Sequence, residues 1–230
     1  MSEITAKVDM TEGLKQCGIP EDMAPQLAEK MEAYIKEIAL FNSAYNLTNT
    51  SDRDELAVRH IFDSLAAFPK IFEYFKNLPQ AALPAVIADI GSGGGLPGIP
   101  LAAAFALLGD TGIRFELVER MEKRCAFLEN CAAILGLKNV TVVNSEAERV
   151  AEKAYDFITF RAFRPLDKKM TKTLLRIVKD GGSLFAYKAK QESIKEEMAG
   201  ITSLVPEYQV VPLSVPGLED SERNLVIITK

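Results

Sequence analysis

The rhythm of apolar and polar positions changes near residue 85. Between Glu21 and Asn42, apolar side chains recur at Leu27, Met31, Tyr34, Ile38 and Phe41 in alternating steps of four and three. That is the stripe of an amphipathic helix. The segment Tyr45-Asn46-Leu47-Thr48-Asn49-Thr50 breaks the pattern, because Asn and Thr side chains compete for backbone hydrogen bonds. Ser51 is the expected N-cap of a further helix running through His60 and Leu65 to about Phe75, and Pro79 and Pro84 end this region. From Ala85 onward, short apolar runs alternate with helical stretches. Strands are predicted at 85–90, 113–119, 140–144, 155–160 and 183–188, with helices at 98–108, 121–135, 166–179 and 190–200. Pro97 and Pro100 sit in the first turn of one helix, and Gly136 closes another. Two final strands at 208–215 and 223–229, joined by a Pro/Gly turn, imply an antiparallel edge hairpin beside parallel βαβ units. The expected fold is therefore α/β: a doubly wound, seven-stranded, mostly parallel sheet over 81–230, with an N-terminal helical region over 1–80 packed on it.

Composition narrows the class without choosing a function. The 230 residues are 48% hydrophobic and 26% charged, ordinary for a globular chain with a full core. No apolar stretch approaches the ~20 residues of a membrane span. The start, MSEITAKVDM, has neither the basic lead nor the apolar stretch of a signal peptide. Cys17, Cys125 and Cys131 form no paired motif and are read as reduced, which points to a cytoplasmic protein. One histidine and no Cys/His cluster predict no metal site. A net charge of −5 argues against non-specific coating of nucleic acid while leaving room for a local basic patch.

The chemistry gathers at Asp89-Ile90-Gly91-Ser92-Gly93-Gly94-Gly95. Five glycines stand between Gly91 and Gly98, and each costs backbone entropy on ordering, so a plain turn explains them poorly. A G-x-G-x-x-G dinucleotide fingerprint fails from Gly91, where Leu96 replaces the third glycine. It does fit from Gly93, through Gly95 and Gly98, so the spacing alone is weakly specific. Asp89 is the better discriminator: Asp-x-Gly-x-Gly-x-Gly looks like the first motif of class I, Rossmann-like S-adenosylmethionine-dependent methyltransferases. Glu119, at the end of the second strand, is placed to accept ribose hydroxyls or else to cap the next helix. Ser145-Glu146-Ala147-Glu148 is placed to meet an adenine, or forms an acidic first helical turn.

The fourth strand ends in Phe160-Arg161-Ala162-Phe163-Arg164, where such folds gather substrate. No Asn/Asp-Pro-Pro-aromatic run is present for exocyclic base amines, and no cysteine is placed for covalent attack on a pyrimidine. Acceptors with a ready lone pair remain, guanine N7 among them. Arg161, Arg164, Lys168, Lys172 and Arg176 step by three or four, with Lys169 and Lys179 nearby; they form either a phosphate-contacting stripe or a solvated helix face. Lys188 ends the fifth strand on the same edge. His60 and Asp63 lie one helical turn apart, and a lone histidine is more often structural than catalytic.

Taken together, YNLTN (45–49), RHIFDSL (59–65), DIGSGGGLPGIPL (89–101), KRCAFL (123–128), SEAE (145–148), RAF (161–163) and YK (187–188) resemble the bacterial small-subunit ribosomal RNA methyltransferase G family, also called glucose-inhibited division protein B. The resemblance implies N7 methylation of one guanosine in small-subunit rRNA with S-adenosyl-L-methionine as cofactor. It implies cofactor contacts at Gly91, Leu96, Ala147, Glu148 and Arg161, alongside Asp89, Gly93, Gly95 and Glu119 from the motif reading. Arg161 and Lys188 are the expected catalytic residues, and Arg59, His60, Arg164 and Lys168 the expected substrate contacts. The expected partner is small-subunit rRNA or the 30S subunit, met by a monomer with no membrane attachment. Two departures stand out: Phe160 replaces a frequent serine, and Glu119-Arg120 replaces a frequent Asp-Ser. The rival readings are a methyltransferase for small molecules or proteins, a nicotinamide-dependent oxidoreductase, and a non-catalytic RNA- or ribosome-binding module.

Overall fold

The computed structural model describes residues 7–79, 82–109, 111–162 and 165–230. The N-terminal region is helical: α1 (Met10–Gln16), α2 (Ala24–Tyr45), α3 (Arg53–Leu56), a π-helical segment Ala57–Phe62, α4 (Asp63–Leu65) and α5 (Phe68–Lys76). Leu27, Met31, Tyr34 and Ile38 of α2 are buried as the periodicity requires. The long helix expected from Ser51 is instead interrupted. Its cap is Asp52, whose side chain accepts from the Asp54 and Glu55 amides, because a carboxylate one residue later can reach those free N–H groups. The π-helical segment then widens one turn around Arg59 and His60, a distortion common where side chains are aimed at a site.

The remaining elements alternate: β1 (Ala85–Ile90), α6 (Gly98–Leu107), β2 (Ile113–Glu119), α7 (Glu122–Ile134), β3 (Val140–Asn144), a 3-10 turn Ala147–Arg149, β4 (Tyr155–Arg161), α8 (Lys168–Ile177), β5 (Val178–Lys188), α9 (Gln191–Ile201), β6 (Gln209–Pro212) and β7 (Asn224–Thr229). The seven strands run in the order β3-β2-β1-β4-β5-β7-β6. β1 to β5 pair in parallel, and β7 is antiparallel to both β5 and β6. Helix α8 ends earlier than expected and passes directly into β5. Val178 is fully buried and pairs with Tyr155, and a register shift follows between Tyr155 and Phe157. Gly181 (φ +79°) and Gly182 therefore lie within the irregular strand and do not end a helix. A Cβ at Gly182 would stand 2.5 Å from the Asp156 carbonyl.

Two hydrophobic clusters sandwich the sheet. On one side Leu14, Leu27, Tyr34, Phe62 and Phe68 of the N-terminal helices join Phe105, Phe115 and Phe127. On the other, Met170, Leu174 and Ile177 of α8 meet Ile194 and Met198 of α9. The N-terminal helices therefore bury the apolar face of α6 and α7, and neither layer keeps a dry core without the other. All three cysteines are buried and unpaired. Among the described residues no helix is long and apolar enough to cross a membrane. Strand order reverses between β1 and β4, and the carboxyl ends of strands at such a switch point are where open α/β sheets bind ligands.

Candidate active site

Asp89, at the end of β1, organises the glycine loop. Its Oδ2 accepts from Ser92 Oγ at 2.7 Å and from the Gly98 amide at 3.0 Å, tying the first turn of α6 back to the strand. Its Oδ1 is buried without a hydrogen-bond partner. Burial pushes the carboxyl up to about 6, with the Glu119 charge adding to the rise, while the Ser92 and Gly98 hydrogen bonds and Arg161 pull it back. Gly98 must lack a side chain, since a Cβ would meet Leu117 at 2.5 Å and Asp89 Oδ2 at 2.6 Å. Gly91, Gly93 and Gly95 have φ of +71°, +58° and +90°, which L side chains rarely adopt.

Gly93 faces open space, where a Cβ would approach nothing nearer than 3.8 Å. Gly95 is packed against Ile99, Tyr34 and Leu128, so it supports the loop from behind. Tyr34 of α2, fully buried, donates its hydroxyl hydrogen bond to the Gly94 carbonyl. Nothing local in the sequence links Tyr34 to the loop 60 residues away.

Two cavities open along this edge and share Gly91, Arg124 and Ala162. The smaller, about 210 Å³, lies beyond β2 and is lined by Glu119, Met121, Ser145, Ala147 and Glu148 among others. Glu119 accepts from the Gly93 amide at 3.0 Å and the Met121 amide at 2.9 Å. It thus braces the turn before α7, whose N-cap is Met121 without a side-chain cap, and steadies the glycine loop, while each carboxylate oxygen keeps a further lone pair. The larger cleft, about 1140 Å³, is lined by Leu47, Arg59, His60, Asp63, Gly93, Leu96, Arg161, Lys188 and Arg223, with others. Ala162 adopts φ +51° between the two, a strained conformation for a residue with a side chain and typical of site-forming loops.

The floor of the cleft is an ionic hub. Arg161 Nη1 donates to Asp63 Oδ2 at 2.7 Å, and Arg223 Nε, from the connection before β7, donates to Asp63 Oδ1 at 3.0 Å. Arg161 Nη2 stands 3.2 Å from His60 Nδ1. A guanidinium only donates, so Nδ1 is the acceptor and the imidazole proton resides on Nε2. Burial, then the Arg161 and Arg59 charges, hold the imidazole down to about 3, so it is neutral at ordinary pH. Tyr187 on β5 donates to the Ser64 carbonyl at 2.7 Å, fastening α4 to the sheet. Lys188 is paired with Glu197 of α9 at 2.8 Å.

The structure thus brings Gly91, Gly93, Leu96, Arg59, His60, Arg161 and Lys188 to one cleft and Glu119, Ala147 and Glu148 to its neighbour. Lys168 is exposed at the start of α8, outside both cavities, and Arg164 lies outside the described residues. The expected basic stripe divides. Arg176 is spent on the Val150, Ala147 and Glu148 carbonyls and Lys179 on Asp156, leaving Lys168 and Lys172 exposed. Residues missed from the sequence are Tyr34, Arg223 and Glu197, each carried to the site by tertiary packing. Asp63 is visible in its motif, but its two arginine partners are not.

The donor set suits a cationic nucleoside better than a dinucleotide. Glu119 lines the smaller cavity, where a carboxylate suits ribose hydroxyls, and the buried Asp89 carboxylate lies beneath the glycine loop, where a dinucleotide would set its pyrophosphate against that negative charge. Among solved structures, the fold is similar to a SAM dependent methyltransferase from Aquifex aeolicus (TM-score 0.54, 17% identity, covering 86% of this chain and 98% of that one). It is also similar to the CurJ carbon methyltransferase (TM-score 0.57, 11% identity, 97% and 72%). In sequence, the chain is 40% identical over 238 residues to a ribosomal RNA small subunit methyltransferase G of Treponema denticola, covering 96% of this chain and 93% of that protein. A namesake from Borrelia turicatae is 33% identical over 223 residues, covering 96% and 99%. The profile described as rRNA small subunit methyltransferase G matches residues 27–226. By that match and by these relatives over nearly its whole length, the chain belongs to the rRNA small subunit methyltransferase G family.

Proposed function

We propose that this protein methylates N7 of a guanosine in small-subunit rRNA, with S-adenosylmethionine as the methyl donor. The observation that carries the reading is the meeting of a nucleoside-sized cavity and a wide cleft at Gly91 and Ala162. When bound, S-adenosylmethionine supplies an electrophilic methyl group on its sulfonium. Glu119 and the Ala147-Glu148 turn hold the adenosine end, and Gly91, Gly93 and Leu96, on the loop that Asp89 fixes from beneath, hold the amino-acid end. Gly95 supports that loop from behind. Arg161, fixed by Asp63, forms the wall of the larger cleft next to Ala162 and orients the base. Lys188, neutralised by Glu197, shapes the far rim of the cleft. Arg59 inside the cleft and Lys168 at the exposed start of α8 meet phosphate, a role that the sequence alone also gives to Arg164. The partner is small-subunit rRNA, free or assembled into the subunit.

The same geometry offers neither a histidine nor a lysine as general base among the described residues of the cleft. His60 Nδ1 is occupied by Arg161, and Lys188 is ion-paired. That suits an acceptor such as guanine N7, whose lone pair needs positioning and no proton removal. The test is incubation with radiolabelled S-adenosylmethionine and small subunits or stripped rRNA from a strain lacking the gene, followed by nucleoside identification. Label in N7-methylguanosine is expected. Label in another nucleoside, or none with cofactor binding intact, overturns the assignment.

A further inference from the structure

Among the described residues of the cleft, His60 is a neutral group whose hydrogen-bonding sense is fixed by its surroundings, and the mechanism above leaves its Nε2 unused. His60 lies on the π-helical segment and lines the cleft. Its Nδ1 faces the Arg161 guanidinium at 3.2 Å. Arg161 is itself held by Asp63, and Asp63 by Arg223, so the chain of contacts Arg223, Asp63, Arg161, His60 allows no exchange of roles. The ring cannot present its lone pair to the cleft. Its Nε2 carries the proton, makes no hydrogen bond to any described residue, and is not among the polar atoms sealed from solvent. Inside a cleft, such an atom is a donor waiting for an acceptor.

The two purines differ there. Beside N7, guanine offers O6, an acceptor, whereas adenine offers N6–H₂, a donor. A fixed donor favours the first and confronts the second with another donor. A bond from Nε2 to N7 itself would tie up the nucleophilic lone pair, so the productive partner is the oxygen next to it. We propose that His60 selects guanine over adenine, its Nε2–H donating to O6 of the base whose N7 is methylated. This rests on the N7-guanosine reading. It assigns His60 specificity and positioning and no proton transfer.

The experiment uses the full chain and small-subunit rRNA in which the methylated guanosine, once mapped, is replaced through ligation by 2-aminopurine riboside, which keeps N7 and lacks O6. Methylation is measured for the wild type, His60→Ala and His60→Gln. The wild type should lose about tenfold to a hundredfold in kcat/KM on the O6-less RNA, the range for removing one hydrogen bond from a site built to make it. His60→Ala should lose a similar factor on guanosine and then separate the two RNAs only by what the probe changes besides O6, the missing N1–H and a less nucleophilic N7. Cofactor Kd should stay unchanged. His60→Gln should restore much of the discrimination, because its amide oxygen can accept from Arg161 while its NH₂ donates.

Equal O6 discrimination in His60→Ala and the wild type would overturn the proposal, and so would a wild type indifferent to O6. If His60→Ala does not fold, His60→Leu, which fills more of the ring's volume and has no donor, decides: full O6 discrimination in that variant, with intact folding and cofactor binding, overturns the proposal. Failure of the wild type to label any guanosine N7 would instead sink the underlying reading, which the guanosine control detects separately.

Discussion

Replacing Asp89 by Asn tests whether the loop is held by a carboxylate that the fold keeps charged at some cost. Burial raises this carboxyl from an ordinary 3.8 to about 6. Between those values the folded protein binds more protons at this site than the unfolded chain does. The site's contribution to stability is fully present below pH 3.8 and is lost as pH rises through 6. At about 1.36 kcal/mol for each pH unit between the two values, the whole loss is about 3 kcal/mol, of which about 2 kcal/mol falls between pH 4.5 and 7.5. The carboxamide of the Asp89→Asn variant cannot titrate. It leaves a buried amide N–H₂ at the unpartnered Oδ1 position, costing about 1–3 kcal/mol, but that cost is the same at every pH.

The difference in unfolding free energy, variant minus wild type, should therefore rise by about 2 kcal/mol in the variant's favour from pH 4.5 to 7.5. Urea titrations at four pH values measure it, and contributions from other groups cancel in the subtraction. Affinity for S-adenosylmethionine should fall in the same variant at pH 7.5. A difference in unfolding free energy that stays flat with pH would refute the reasoning, because it would mean that Asp89 is not desolvated as its burial requires.

Tyr34→Phe removes the donor to the Gly94 carbonyl; denaturant unfolding should show a loss of about 1–2 kcal/mol, and calorimetry a weaker cofactor affinity. Gly98→Ala places a methyl against Leu117 and Asp89, so stability should drop by about 1–3 kcal/mol and labelling with it; a fully active, stable variant would contradict the packing. Charge reversal at Lys168 and Lys172 should weaken RNA binding and flatten its dependence on salt by about one unit of log-log slope per cation, with cofactor affinity untouched. His60, the chain's one histidine, is held down to about 3, so the rate should show no inflection near pH 6.5. The unfolded chain binds a proton there that the folded protein refuses, so His60 makes stability fall as pH drops below about 6.5.

Local pattern determined most of the architecture. Apolar runs such as AVIADI and IRFELVE are short enough to read as buried strands, and the return of helical periodicity between them forces parallel crossovers. The glycine cluster after Asp89 marks the ligand loop, because only backbone that needs positive φ or close approach tolerates so many glycines. Short-range signals misplace the ends of elements. Ser51 and Asp52 are both good caps, and Gly181-Gly182 reads as a helix stop until pairing of Val178 with Tyr155 draws the chain into the sheet.

Tertiary structure alone decided how the site is wired. Arg161 finds Asp63 98 residues away, and Arg223 finds the same carboxylate across 160 residues. Tyr34 meets the glycine loop only because α2 packs over α6 and α7. The basic stripe on α8 is one surface by its spacing, yet packing turns Arg176 inward to backbone carbonyls and leaves only part of it exposed. Periodicity fixes which face of an element is buried, since that depends on near neighbours in the chain. It cannot say which charges meet, because ion pairs and hydrogen bonds are set by the distances between elements, and those exist only once the core has closed.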